Sequence, residues 1–488
     1  MGINIKSSEV EIRESRLGSI TGFAGTAKEL CNRSKGKRLC DRRRSFSQCL
    51  GCNSGYSLCQ LIMIQDSVVI NHAPIGCCAD LPDFNFTNRV GQIKRNLPLR
   101  NARLLNTNLT EKDTIYGGEE KLRKTIKEAY ERFKPNAIFV TTSCASGIIG
   151  DDVEVVTNEA EKELGIPIVF VACEGFRSKI WTTGFDAAYH AILRKIVKPP
   201  VNKREDLVNV INFWGTDIFT ELFGRIGLKP NYIVPFSTIA QLEKISEAAA
   251  TVQICPTLGT YLAAGLEQEY GVPEVKAPPA YGLKGTDLWF RELGRITGKE
   301  KEVEELIKSE RERIAPKLKE LRSKLRGKRV YITAGAAHGH SLIALLKDLH
   351  MEVAGAAIFH HDPCCDNKDP RSESLPHVVK NYGDVKNFNV CNKQPFELVN
   401  VLNRLKPDLF IARHGGMSAW GPKLGIPTFL MGDEQFGLGY QGLINYGDKI
   451  IDVLLTKEFV TNIAAHSKLP YTDWWLKQDP YTFLGGDI

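Results

Sequence analysis

Short apolar runs rich in β-branched residues alternate with longer stretches of amphipathic, helix-period pattern along most of the chain. The run LIMIQDSVVIN reads as a buried strand. It delivers His72, Ala73, Pro74, Ile75, Gly76 and Cys77 to a turn whose backbone is fixed by proline and glycine. An irregular polar segment follows, then helix GGEEKLRKTIKEAYERF, strand NAIFVTT, the loop SCASGIIGDD with Cys144, helix DVEVVTNEAEKEL and strand IPIVFVACEGF, ending at Cys173, Gly175 and Phe176. A second unit opens near Asp206 with strand LVNVINFW, helix DIFTELFGRIG, strand YIVPF, helix IAQLEKISEAAA, strand TVQIC closed by Cys255, and helix TLGTYLAAGLEQEYG. The charged stretch from Lys299 to Gly327 reads as a long solvated helix joining units. A third unit holds KRVYITAG, HSLIALLKDLH, EVAGAAIF, a loop with His360, His361, Cys364 and Cys365, PFELVNVLNRL, LFIAR and IPTFLMGDEQFGLGYQG.

Strand-helix alternation of this kind predicts an α/β fold of parallel sheets flanked by helices. The expected organisation is an N-terminal arm (1–48), three α/β domains (49–204, 205–326 and 327–460) and a C-terminal tail (461–488), similar in pattern without a repeat in sequence. Residues 1–48 are polar and basic and are expected to be an irregular arm. Ligands of parallel sheets sit at the carboxyl ends of strands. Cys77, Cys144 and Cys173 all fall at or just after such ends.

Cysteine usage sharpens this picture, because the stretch from Cys49 to Cys78 places five of the thirteen cysteines within thirty residues. Thiolates gathered by a rigid scaffold suit a soft metal or an iron-sulfur cluster. Cys31 and Cys40, with Cys49 and Cys52, match no strong zinc spacing. At 488 residues with a net charge of only +7, the chain has no nucleic-acid footprint, and no run reaches membrane-spanning length. Many cysteines without an export signal point to a reducing, cytoplasmic setting.

Common nucleotide and hydrolase signatures are missing or weak. GLGYQG (Gly437 to Gly442) matches G-x-G-x-x-G but lacks the acidic partner expected downstream, and reads as a tight turn. There is no G-x-x-x-x-G-K-[ST] loop, so any ATP requirement must be met by another protein. No G-x-S-x-G or H-E-x-x-H motif occurs.

CLGC, NHAPIGC, NLTEKDTIYGGEEKL, TTSCASGIIGDD and VACEGFR, in this order, resemble the α-type subunit of the nitrogenase component 1 superfamily over about residues 45 to 455. The resemblance implies three Rossmann-like domains with clusters between them. It assigns Cys52, Cys77 and Cys144 as half of the cage of an electron-relaying P-cluster or a smaller [4Fe-4S] cluster, shared with a homologous β-type subunit in an α2β2 assembly. It assigns Cys255 as the cysteine at one end of a large catalytic iron-sulfur cofactor, and an ATP-dependent iron protein as electron donor. Cys59 and Cys78 are not ligands of the family.

Departures from the family pattern bear on function. Gly432, with Asp433 and Glu434 beside it, stands where nitrogenase has a histidine ligand, which leaves the heterometal open. Trp181 and Phe185 replace a glutamine and a histidine beside the cofactor, and neither ring relays protons as imidazole does. His338 and His340 stand where nitrogenase has an arginine, and with His360 or His361 they are the candidate proton donors. The resulting expectation is an apolar site in a nitrogenase-like reductase resembling methylthio-alkane reductase, which cleaves a carbon-sulfur bond of a small organic sulfide. The alternatives are a non-catalytic cofactor-assembly scaffold, a nitrogenase, and a tetrapyrrole-reducing relative.

Overall fold

The computed structural model describes residues 2–41, 51–391, 394–413, 415–432, 437–482 and 484. Three sheets carry the chain, as the α/β pattern predicts. The first is parallel throughout and runs, in spatial order, Leu104–Asn106, Ser67–His72, Ala137–Thr142 and Ile168–Val171. The second is parallel and has Arg204–Ile211 at its centre, between Lys229–Ile233 and Ala248–Gln253. The third has six strands, in the order Gly22–Gly25, Phe388–Cys391, Glu352–Ile358, Arg329–Ala334, Leu409–Arg413 and Thr428–Met431; only the first of these is antiparallel. Strands covered by helices on both faces are buried along their length, with mostly apolar residues in the middle. Ser67–His72 and Ala137–Thr142 accordingly are buried end to end.

The three sheets fall into two compact units, where three domains are expected. The first holds residues 1–16, 51–254 and 258–275, and the second holds 17–50, 255–257 and 276–488. The N-terminal stretch is not an irregular arm, because it is used by both units. Gly22–Gly25 completes the edge of the third sheet, and helix Ala27–Lys35, N-capped by Thr26, follows it. Residues 3–16 strap the first unit. Arg13, fully buried, donates from Nε and Nη2 to Asp186 at 2.7 Å each, Arg16 adds a bond of 2.6 Å, and Glu14 accepts from Ser178.

Other expectations shift in register. LIMIQDSVVIN is not one strand: Leu61 ends helix Asn53–Leu61, and the strand begins only at Ser67. The polar segment after it contains helix Leu81–Lys94. IAQLEKISEAAA stops as a helix at Glu243, and its alanines enter strand Ala248–Gln253 because small residues pair there against Arg204–Ile211. The long charged helix, Glu300–Leu325, is not solvated all round. Val303, Leu306, Ile307, Ile314, Leu318, Leu321 and Leu325 form an apolar stripe that packs on helices Gly282–Thr297 and Gly439–Leu454. GLGYQG is a turn only as far as Gly439 (φ +68°), where the latter helix begins. No helix among the described residues is long and apolar enough to cross a membrane.

Removing one partner of a buried ion pair strands the other charge, at a cost of about 3–5 kcal/mol. Asp186→Ala, which strands Arg13 and Arg16, is therefore expected to lower the urea-unfolding free energy by that order, whereas Arg13→Met with Asp186→Leu should recover part of it. A loss below about 1 kcal/mol for the single variant would show that the strap is not anchored there.

Candidate functional site

Two thiol sites emerge from the chain, and they differ in kind. The first is built at the carboxyl edge of the first sheet. Strand Ser67–His72 runs into the turn Ile75–Cys78, which carries Cys77. Strand Ala137–Thr142 runs into helix Cys144–Ile149, whose start is fixed by a reciprocal capping box between Ser143 and Ser146. Strand Ile168–Val171 leads to the turn Gly175–Arg177. Cys52 comes from a helix start and not from a strand end. It is the N-cap of helix Asn53–Leu61, and its sulfur accepts the Gly55 N–H at 3.3 Å.

Gly175 is where these loops meet. A Cβ there would lie 3.2 Å from Cys144 Sγ, 3.2 Å from the Cys52 Cβ and 3.9 Å from Cys52 Sγ, so the approach of the loops needs a residue without a side chain. The Cys77 thiol is pushed up by burial, and further by the sulfurs of Cys52, Cys78 and Cys144 around it. Cys52, Cys77 and Cys144 are all exposed. Large apolar side chains near Cys77, Cys144 and Gly175 in sequence are also exposed: Ile75 at 63%, Ile148 at 77% and Phe176 at 59%. No three His, Cys, Asp or Glu side chains among the described residues are grouped to hold one metal ion. A cluster binds each thiolate to a different iron, so three thiols around a common opening fit it where a single ion is not held.

A polar brace fixes this edge. Asp151, from the GIIGDD segment, accepts from the Gly118 N–H at 2.9 Å and bonds His72 Nε2 at 2.9 Å, while His72 Nδ1 meets Thr107 Oγ1 at 3.1 Å. NHAPIGC, YGGEEKL and GIIGDD, remote in sequence, are joined through that one carboxylate. Glu174 and Arg177 of EGFR pair at 2.9 Å beside Gly175. Cys78 is tied by Asn71 and Asn106, whose amides donate to its sulfur at 3.3 and 3.1 Å. Burial pushes the Cys59 and Cys173 thiols up to about 12 each, which keeps them protonated. Cys49, Asp433 and Glu434 lie outside the described residues, and Gly432 directly follows strand Thr428–Met431.

The second site is closed. Cys255, two residues past strand Ala248–Gln253, is buried. Next to it, Thr257 Oγ1 accepts the Ala337 N–H at 2.9 Å, which brings the start of helix Ala336–Asp348 to the cysteine loop. That helix presents His338, whose Nδ1 bonds the Tyr281 hydroxyl at 3.2 Å. Burial above all drives the Tyr281 hydroxyl well above its ordinary range; Tyr446 and Cys255 add to this and Arg413 opposes it, so all three lie near the ring. Arg413 is itself buried at 6% exposure. A buried thiol with a buried guanidinium and an imidazole suits an anionic iron-sulfur group.

The remaining expected site residues are distributed elsewhere. His340, two positions along the helix from His338, lies on another face. Its Nδ1 bonds Ser374 Oγ at 2.8 Å, and its ring centroid lies 6.5 Å from that of His361, whose Nε2 bonds Ser34 Oγ at 2.8 Å. His360 Nε2 bonds Asp362 at 3.1 Å. Trp181 and Phe185 close on Tyr56, with centroids 4.6 and 5.5 Å from it, on the helix that Cys52 caps. Tyr56, Tyr281 and Arg413 are not singled out by any sequence motif, and only the fold brings Tyr281, Arg413 and Cys255 near one another.

Two outcomes follow from this geometry. Gly175→Ala should cut the iron bound by the anaerobically purified protein by roughly half or more, through displaced thiols. Gly76→Ala, whose Cβ meets nothing within 4 Å, should bind iron as the parent does. Equal iron in both variants would remove Gly175 from the site. Burial lowers His340 to about 3 and His361 to about 4 from 6.5, so the unfolded chain takes up protons first. Their contribution is complete above pH 6.5 and is lost as pH falls toward about 4, at up to about 1.4 kcal/mol per pH unit for each histidine. His340→Gln should flatten the pH dependence of urea unfolding in that window by about one proton.

Comparison with known proteins gives the same assignment as the thiols. Residues 53–455 match the family model for nitrogenase component 1 type oxidoreductase. The nitrogenase iron-molybdenum cofactor biosynthesis protein NifE of Methanococcus maripaludis is 28% identical over 472 residues, covering 92% of this chain and 94% of that protein. The nitrogenase molybdenum-iron protein alpha chain of Methanothermobacter thermautotrophicus is 27% identical over 413 residues, covering 78% and 82%. The solved structure of nitrogenase Cp1 at pH 5 superposes with a TM-score of 0.68 at 24% identity, covering 86% of this chain and 90% of that one, and so shares the fold. The family match and the near full-length relatives show that the chain belongs to the nitrogenase component 1 type oxidoreductases, as an α-type member.

Proposed function

We propose that this chain is the catalytic α-type subunit of a cytoplasmic, nitrogenase-like iron-sulfur reductase that cleaves the carbon-sulfur bond of a methylthio-alkane. The observation that carries the reading is the presence of two separately built thiol sites, one open and one closed. Cys52, Cys77 and Cys144 would hold half of a relay cluster, of P-cluster or [4Fe-4S] type. Their exposure, rimmed by Ile75, Ile148 and Phe176, suits a partner that covers apolar surface and adds the missing thiolates. That partner is a homologous β-type subunit in an α2β2 assembly. An ATP-dependent iron protein is the reductant, in keeping with the lack of a P-loop here.

Cys255 would hold the larger iron-sulfur cofactor, which supplies the electron pair at the substrate when bound. The overall change balances as one sulfide plus two electrons and two protons giving a thiol and a hydrocarbon. This chain's part is to admit an apolar substrate, exclude water and bring protons. Of the candidate histidines, His338 lies on the helix whose start is bonded to the Cys255 loop, and its contact with the Tyr281 hydroxyl offers a path for a proton. His340 and His361 are held neutral by burial and serve as packing and hydrogen-bonding groups rather than acids. Trp181 and Phe185 supply apolar surface with no titrating atom.

A second reading is a non-catalytic scaffold that holds a cofactor precursor, and the near full-length match to a cofactor-biosynthesis protein favours it. Anaerobic co-expression with the β-type partner, followed by turnover of ethyl methyl sulfide with iron protein and ATP, separates the two. Steady thiol release supports the reductase. Persistent inactivity of a complex fully loaded with iron supports the scaffold. In either case Cys255→Ala should lose the iron of the closed site while the electron paramagnetic resonance signal of the relay cluster persists; loss of both would break the assignment of two sites.

A further inference from the structure

The second unit carries a cleft of about 880 Å³, within the range that small-molecule sites occupy, and it involves neither thiol site. Seven lysine and arginine side chains line it, against two carboxylates, Glu292 and Glu373. Glu292 is already engaged by Arg295 at 2.9 Å and Arg371 at 3.2 Å. Lys284 and Lys380 form no ion pair with any described carboxylate, and Lys35 makes none within 4 Å but acts on the Glu373 carboxylate from a distance. Crowding of like charge is unfavourable, and it is relieved by an anion.

His377, also in the lining, has a defined tautomer. The Asn381 side-chain amide donates both to the His377 carbonyl, at 2.8 Å, and to Nδ1, at 3.1 Å, so the ring proton is on Nε2. That Nε2–H is buried without an acceptor, an expensive state for a donor. Burial, with Lys284 and Lys380 nearby, lowers this histidine to about 4, so it adds no charge to the lining. Ala277, Pro278 and Leu288 give the same lining an apolar part.

We propose that this cleft binds a phosphorylated organic molecule of nucleotide size, with Lys35, Lys284 and Lys380 on the phosphates and the wall of Ala277, Pro278 and Leu288 against its apolar body. Lysine acts as a compact point charge toward phosphate, and a concave site with an apolar wall favours a small ligand over an extended acidic surface.

The test is anaerobic titration calorimetry of the full chain with ADP, inorganic pyrophosphate and adenosine. ADP should bind, pyrophosphate should compete more weakly, and adenosine should give no heat. Lys284→Ala with Lys380→Ala should weaken ADP about a hundredfold, at about tenfold for each charge-assisted contact, with unchanged thermal unfolding. Raising salt from 0.05 to about 0.5 M should weaken it further. Absence of ADP binding at millimolar concentration, affinity unaffected by the double variant, or pyrophosphate binding as tightly as ADP would each overturn the proposal.

Discussion

Parallel pairing of strand Ser67–His72 with Ala137–Thr142 is the constraint on which the open thiol site depends. The register runs from Ser67 opposite Ala137 to His72 opposite Thr142, so both chains leave the sheet at the same level and on the same edge. Parallel strands cannot be joined by a hairpin, and the crossover helices between them force each return to that edge. Cys77 and Cys144 stand together for that reason, although sixty-odd residues separate them in sequence. Gly175, delivered by the neighbouring strand, then permits the close approach of Cys52, and Asp151 locks the loops through His72 and Gly118.

The two thiol sites differ in the physics of exposure. Thiols on an open, apolar-rimmed face leave coordination and surface unsatisfied, and both demands are met by one event, association with a partner. Cys255 is enclosed, and Tyr281, bonded to His338, feels the charge of both Cys255 and Arg413. In such surroundings charge is costly unless matched.

The N-terminal residues show how a polar segment becomes structural. Arg13 and Arg16 converge on Asp186 of the helix that also carries Phe185, and Glu14 reaches Ser178 just before Trp181. The aromatic cluster of Trp181, Phe185 and Tyr56 is thus held from behind by a strap of charges. Composition alone reads those residues as a solvated arm, because a buried bidentate ion pair and a free one have the same sequence.

Periodicity and punctuation in the sequence determined the α/β class, most strands, the helices Glu119–Phe133 and Val153–Leu164, and the placement of Cys77 and Cys144 at strand ends. These are local properties, written in runs of apolar residues with period 2 or 3.6. Boundaries failed where tertiary pairing overrode pattern: in LIMIQ, where an apolar run ends a helix; in the alanines before Thr251, which a neighbouring strand recruits; and in the long helix, whose burial depends on what packs against it. Only the tertiary structure set Cys52 as a helix cap against Gly175, turned His338 toward Tyr281 and His340 away from it, and divided the N-terminal stretch between two units. Each of these depends on contacts between residues far apart in the chain, which no local pattern encodes.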